Sequence, residues 1–191
     1  FYETDSYYFL VTGQKNPDQS PDVEVFRVTK YDKQWNRIGS AGLYDCNTTV
    51  PFDAGSLRMD DAGNYLLIRT SHEMYQSTDG YNHQANVTIQ LDMETMTITD
   101  SYTRTMNTGY GYVSHSFNQF IKVEENKIVS LDHGDAYPRS LALLKYQTDV
   151  STGKFVPSYG NTCQLVPVLT FPGAVGTNKT GAAAGGFEIS D

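Results

Sequence analysis

The sequence predicts an all-β fold, arranged as a propeller-like array of four-stranded antiparallel blades. No stretch of a dozen residues shows the 3.6-residue apolar period of a helix. Short apolar runs instead alternate with turns that contain Gly, Pro, Asn and Asp. A strand-rich unit also recurs about every 60 residues, which is typical of propellers and other repeat arrays. A β-sandwich of two sheets is the structural alternative.

The first hairpin of each predicted repeat shows the self-similarity most clearly. Residues 57–72 align with residues 121–133, because both contain apolar and basic positions, two acidic residues, a turn, an apolar run and a final His. Residues 1–13 have the same order of short strand, polar turn and longer strand, and residues 187–191 resemble residues 1–5. The equivalent positions Phe1, Met59, Val123 and Phe187 are spaced by 58, 64 and 64 residues.

A second hairpin is predicted in each repeat, at residues 23–40, 86–100 and 140–156. Each repeat thus has four strands, here called A to D. We expect one propeller segment over residues 1–191, with repeats at about 1–45, 54–103 and 113–160 and the next starting near 183. Three blades and the start of a fourth cannot close a ring of about 4 to 8 blades. The parent chain or another copy is therefore expected to complete a larger ring.

Composition excludes several classes of function. The chain has 14 Lys and Arg against 22 Asp and Glu, a net charge of -8, which disfavours nucleic acid as a partner. No apolar run approaches the 18 residues of a membrane span, so no membrane insertion is expected. Cys46 and Cys163 lack the spacing of a metal or redox motif, and a single disulfide between them is left open.

Blade connectivity predicts where a site should lie. In an antiparallel blade, the B to C loops and D to A linkers emerge at one rim, and the A to B and C to D turns emerge at the other. The sequence places all four histidines at the first rim: His72, His83, His115 and His133. Tyr81 lies in the same predicted B to C loop as His83. Asp60 and Asp61, in contrast, are predicted to lie in a solvated hairpin turn.

The densest polar segment is residues 132–139. Asp132 or Asp135 is suited to orient His133, and Arg139 is suited to hold a carboxylate or sulfate, which makes a site for an anion or sugar. The alternative is structural, with Asp132 and Arg139 paired to tie the loop to a neighbouring blade. The expected ligand-binding residues are Asp132, Asp135, Tyr137, Arg139, His83 and Tyr81. His133, His115 and His72 are the expected catalytic candidates.

One predicted loop contains candidate metal ligands. His72, His83 and Asp79 offer imidazole and carboxylate ligands that suit a transition metal, but their spacing is not diagnostic. Hydrogen bonding of these histidines to backbone carbonyls is the ordinary alternative. The sequence therefore predicts no metal and no cofactor.

The segments SHSFNQF at residues 114–120 and SLDHGDAYPR at residues 130–139 resemble propeller repeats of large secreted or surface-attached bacterial proteins. That resemblance implies an extracellular or cell-surface location and a binding role. A looser similarity exists to arylsulfotransferase-type propellers, in which histidines on one face serve catalysis. It implies His72, His115 and His133 as the corresponding candidates.

Two functions follow as hypotheses. The first is a binding or scaffold module whose loop-bearing rim contacts a glycan or a surface protein. The second is a propeller enzyme that acts on sulfated or acidic saccharides, with a histidine as acid, base or nucleophile. A segment that only spaces other domains is the third option.

Overall fold

The computed structural model describes residues 1–102, 116–125, 127–146, 163–177 and 180–190, and within these ranges the chain forms strands and no helix. No helix that could span a membrane occurs in this part of the chain. The strands are β1 (Tyr2–Glu3), β2 (Tyr7–Gly13), β3 (Phe26–Asp32), β4 (Arg37–Leu43), β5 (Thr48–Pro51), β6 (Arg58–Ala62), β7 (Tyr65–Gln76), β8 (Asn82–Asp92), β9 (Thr97–Tyr102), β10 (Ser116–Glu124), β11 (Lys127–Gly134), β12 (Ser140–Tyr146) and β13 (Cys163–Thr170).

The described strands form three antiparallel sheets of four or five strands, which confirms the predicted all-β class. Sheet 1 has the order β1-β2-β3-β4, and sheet 3 has the order β10-β11-β12-β13. Sheet 2 has the order β5-β7-β8-β9, and β6 pairs with β7 as well. Strands that are consecutive in the chain pair with each other in all three sheets, except that β5 and β6 of sheet 2 both pair with β7.

Sheet 2 contains a strand that the sequence analysis did not predict. β5 pairs with the end of β7 around His72, and β6 pairs with its beginning, from Tyr65 to Arg69. The two short strands thus share one edge of β7. In sheet 3 the fourth strand is β13, whereas the predicted return strand up to residue 156 falls outside the described residues. Cys163, expected in a linker, is the first residue of β13.

β7 and β8 form the longest hairpin, and both of its faces are buried. Leu66 and Ile68 belong to the apolar core against sheet 1, while Leu67 belongs to the smaller core against sheet 3. A strand covered on both faces needs apolar residues at odd and even positions, which explains the unbroken run from Tyr65 to Ile68. Sheet 2 therefore lies between the other two sheets.

The larger core lies between sheets 1 and 2. Sheet 1 contributes Phe9, Phe26 and Val28, which are at most 1% exposed. The fully buried residues that sheet 2 contributes are Leu66, Ile68, Val87, Ile89 and Leu91. Burial of each such side chain contributes roughly 1.5–3 kcal/mol relative to exposure, so this interface supplies much of the driving force for stacking the two sheets.

The ends of the strands form two rims, as the connectivity predicts. One rim, here called the loop rim, carries the longer connections, and there Asn16 N donates to Thr49 O at 2.8 Å and the Asn16 side-chain amide donates to Tyr75 Oη at 3.0 Å. At the turn rim, the Lys30 ammonium donates to Met93 O at 2.7 Å. The loop rim carries the connections 14–25, 44–47, 77–81 and 135–139, and the turn rim carries residues 4–6, 33–36, 63–64 and 93–96.

Candidate functional site: the loop rim

Exposed tyrosines mark the loop rim. Tyr81, between β7 and β8, is 70% exposed, and Tyr137, between β11 and β12, is 55% exposed. Tyr44 follows β4 and is 51% exposed, with its hydroxyl donating to Glu24 Oε2 at 2.7 Å. Among the described residues, sheets 1, 2 and 3 thus each present an exposed phenol ring at the same rim. Flat aromatic surfaces with a polar tip are typical of binding surfaces.

The loop that presents Tyr81 is rigidified by Asp79. This carboxylate accepts from the Ser77 hydroxyl, from Tyr81 N at 3.0 Å and from His83 Nε2 at 2.7 Å. These hydrogen bonds, the one from Ser77 first, lower the pKa of Asp79 to about 2. Gly80 has φ +86°, a conformation that favours glycine, and it closes the turn. His83, an expected ligand residue, is therefore engaged with Asp79 in holding the loop.

Asp132 points away from the rim surface and into the interface between sheets 2 and 3. It is fully buried and accepts a bidentate hydrogen bond from Arg69, with Nε to Oδ1 at 3.0 Å and Nη2 to Oδ2 at 2.5 Å. The Asn86 amide donates to Oδ2 at 2.8 Å. The expected alternative, an Asp132–Arg139 pair, is wrong, because the partner in the neighbouring sheet is Arg69.

Arg69 completes this buried network on its other side. Its Nη1 donates to Thr88 Oγ1 at 2.6 Å and to Tyr146 Oη at 2.9 Å. The sequence analysis missed Arg69, although an arginine inside the apolar run of β7 requires a buried counter-ion. A search for such a partner among the acidic residues of the next repeat could have found Asp132.

Arg139 has a structural position in the loop that carries Tyr137. Its Nε donates to Pro172 O at 3.0 Å, and its Nη1 donates to Asp135 O at 2.8 Å and to Thr177 O at 2.7 Å. Gly173 has φ +110°, and a Cβ there would lie 3.0 Å from Arg139 Nη2. The guanidinium thus ties residues 172–177 to the loop, and the buried Asp135 lies beneath it.

His133 lies on the face of sheet 3 that is turned away from sheet 2. Asp132, the preceding residue, faces sheet 2, and side chains alternate along β11. His133 Nε2 lies 2.8 Å from Thr180 Oγ1, and its ring packs edge-on against Phe171 at a centroid distance of 5.0 Å. Burial lowers the pKa of His133, an effect that Asp135 partly offsets and Arg139 strengthens.

His72 lies in the opposite direction, on the face of sheet 2 turned toward sheet 1. It is fully buried, its Nδ1 lies 2.6 Å from Thr48 Oγ1, and burial lowers its pKa to about 3. The Thr48 hydroxyl donates to Cys46 O at 2.8 Å, so His72 Nδ1 must carry the proton that Thr48 Oγ1 accepts. His72 is a neutral core histidine.

The three described histidines thus have separate environments. His72 is buried beside Thr48, His83 pairs with Asp79 in the exposed loop, and His133 packs on Phe171. His115 lies outside the described residues. Among the residues that the structure describes, no three His, Cys, Asp or Glu side chains are grouped so as to hold a metal ion. Of the expected ligand residues, Tyr81 and Tyr137 are the ones most exposed at the loop rim.

No protein-family model matches the chain, and no curated protein matches it significantly.

Proposed function

We propose that the chain is a binding module of a secreted or cell-surface bacterial protein, with a glycan as the ligand of its loop rim. The observation that carries this proposal is the exposure of Tyr44, Tyr81 and Tyr137, one from each successive sheet, at a single rim. The apolar face of a sugar ring packs well on a phenol ring, while the hydroxyl of the tyrosine bonds to water or to the sugar.

The proposal includes a propeller architecture for the parent protein. Its support is the stacking of the sheets: sheet 2 packs on a neighbour through both faces, and strands β6 and β10 lie side by side, with Val123 N donating to Asp60 Oδ2 at 2.8 Å. The Tyr2 hydroxyl of β1 similarly donates to Asp61 Oδ1 of β6. Strands β1, β6 and β10 of three consecutive sheets thus follow one another, as the inner strands of propeller blades do.

The end sheets still have exposed apolar residues on their outer faces. Leu10 and Ile38 of sheet 1 are 37% and 50% exposed, and Leu169 of sheet 3, opposite Leu141, is 52% exposed. Further blades would cover these faces as sheets 1 and 3 cover sheet 2. The parent chain or another copy is the proposed source of those blades.

An enzyme acting on sulfated or acidic saccharides has less support. Such a reaction needs a solvent-accessible imidazole and a cation available to the anion. His72 is fully buried with its pKa lowered to about 3, and three donors of Arg139 are directed at backbone carbonyls. The binding function therefore fits the described residues better.

The test is a glycan array probed with the labelled chain, followed by titration of the best glycan. The double variant Tyr81→Ser and Tyr137→Ser should weaken binding at least tenfold, because both sugar-stacking rings are lost while the loop backbones keep their anchors. The matched control is Tyr65→Ser, at the turn rim, which should leave the affinity unchanged. An array without a hit, or equal loss in the control, would refute the proposed site.

A further inference from the structure

A polar cleft of about 960 Å³ opens at the turn rim, on the side of the molecule opposite the tyrosines. It lies between the hairpin turns of sheets 1 and 2. Its charged lining residues are Glu3, Asp5, Lys30, Lys33, Asp61 and Glu94. A cleft of this size accommodates a small organic molecule of one to a few rings.

Lys30 is the most buried charged group in this lining. Only 7% of the residue is exposed, and its ammonium lies 3.7 Å from the centre of the Tyr7 ring. The ammonium donates to Met93 O but forms no ion pair within the described part of the chain. An ammonium has three N–H donors, so Lys30 can donate further hydrogen bonds to an oxygen placed in the cleft.

The carboxylates of the lining outnumber its cations. Lys33 is paired with Glu3, with Nζ to Oε1 at 2.7 Å, whereas Asp5, Asp61 and Glu94 have no ion pair among the residues described. Asp61 does accept a hydrogen bond from the Tyr2 hydroxyl through Oδ1. Three carboxylates against the single ammonium of Lys30 leave a negative field. That field repels an anionic ligand and favours one with a protonated amine, which makes charge-assisted hydrogen bonds to carboxylates.

We propose that the turn-rim cleft binds an amino sugar with a free amine, such as a glucosamine unit. Its protonated amine would pair with Asp61 and Glu94. Its hydroxyls would accept from Lys30 and donate to Asp5. This site is separate from the proposed loop-rim site, since the two share no residue and lie at opposite ends of the strands.

The test is calorimetric titration with glucosamine trisaccharide at 0.15 M salt and at a pH where the amine is protonated. The matched ligand control is N-acetylglucosamine trisaccharide, which has the same rings and hydroxyls but no charge. We expect binding of the first and at least tenfold weaker binding of the second. Equal binding of both, or no binding of the amine form, would overturn the proposal.

Variants of the chain locate the site. Glu94→Gln, at an exposed position, should weaken binding of glucosamine trisaccharide several-fold. Asp18→Asn, an exposed residue near the loop rim, removes the same charge as Glu94→Gln and should have no effect. Equal weakening by Asp18→Asn would show nonspecific attraction to a negative chain and would refute the site.

Two further experiments distinguish this proposal from binding of any polyamine and from binding at the loop rim. Spermidine has amines but no hydroxyls, so its competition with the trisaccharide at equal affinity would refute the amino-sugar class. The Tyr81→Ser and Tyr137→Ser double variant should still bind glucosamine trisaccharide normally. Loss of binding in that variant would assign the amino sugar to the loop rim and overturn the cleft, whereas failure of the glycan array alone would not affect it.

Discussion

Both faces of sheet 2 are buried, but the side chains that form the two interfaces differ in kind. The face toward sheet 1 is apolar, with Ile68 and Ile89 packed on Phe9 and its neighbours. The face toward sheet 3 contains Arg69, bonded to Asp132 across the interface. The stabilisation from an apolar interface scales with the buried area and changes little when the two sheets shift slightly. A bidentate ion pair, in contrast, forms in only one relative position of the sheets.

This difference suggests separate roles for the two interfaces. The apolar interface supplies stabilisation, and the polar interface fixes the position of sheet 3 relative to sheet 2. A buried ion pair is a poor source of stability, because the cost of removing two charges from water offsets most of their attraction. Loss of one partner is nevertheless severe, since the other charge then remains buried alone.

The largest expected effect is that of Asp132→Ala. It leaves the Arg69 guanidinium buried without its counter-ion, and we expect the free energy of unfolding to fall by about 3–5 kcal/mol in urea denaturation. The combined change Arg69→Met and Asp132→Leu should recover most of this loss. Lys122→Met, which removes an exposed pair with Glu188 at 3.0 Å, is the control and should cost less than about 1 kcal/mol. A loss in Asp132→Ala no larger than in this control would contradict the role of the pair.

A substitution in the apolar interface should lower the free energy of unfolding somewhat less, and we expect no second substitution to restore it. Ile89→Ala removes a fully buried side chain and should lower the free energy of unfolding by about 2–4 kcal/mol through lost burial and the resulting cavity. Val168→Ala, at a position that is 61% exposed, is the control and should change it by under about 0.5 kcal/mol. If both variants are equally stable in urea denaturation, the interface between sheets 1 and 2 is not the main core.

The third expected effect is a pH dependence of stability that arises from His72, on the face of sheet 2 toward sheet 1. The buried ring of His72 stays neutral down to about pH 3, whereas an unfolded histidine binds a proton below about pH 6.5. His72 therefore makes its full contribution to the free energy of unfolding above about pH 6.5. As the pH decreases from there toward 3, that contribution falls by about 1.4 kcal/mol per pH unit.

The variant His72→Gln should remove this slope from unfolding free energies measured between pH 6.5 and 4.5. His83→Gln is the matched control, because the exposed His83 ring pairs with Asp79 at the surface. An unchanged slope in His72→Gln would show that His72 is accessible to protons in the folded state.

The local parts of the fold were predictable from the sequence. Hairpins such as β7 and β8 are encoded by apolar runs that flank a Gly-containing turn, so their partners are close in sequence. β5 was missed because its four residues, beginning at Thr48, have no clear alternation, and its partner β7 is distant. Pairing of that kind depends on the assembled sheet.

The candidate site was predictable only in part, because register decides which way a side chain points. Alignment of the repeats made His72 and His133 equivalent. The hairpins begin the longer strand at Tyr65 and at Lys127, which places His72 seven residues along its strand and His133 six along its own. Side chains alternate between faces, so this single residue sends the two imidazoles to opposite sides.

The cleft at the turn rim was missed for a related reason. The sequence predicts Asp61 in a solvated hairpin turn, whereas the residue lies in strand β6, paired with Leu66, and its carboxylate accepts from the Tyr2 hydroxyl. The cleft that Asp61 shares with Lys30 arises only when sheet 1 packs on sheet 2. A sequence that encodes hairpins one by one does not state which hairpins become neighbours.

The enclosed position of sheet 2 has a consequence for how the chain opens. Within the described ranges, sheets 1 and 3 each pack on one neighbouring sheet and sheet 2 packs on two, so we expect thermal fluctuations of the isolated chain to release the outer sheets first. The backbone amides of β7 and β8 are then the last to exchange with solvent. Partial unfolding of sheets 1 and 3 would leave the β7–β8 hairpin folded, and the neighbouring sheets would refold against it.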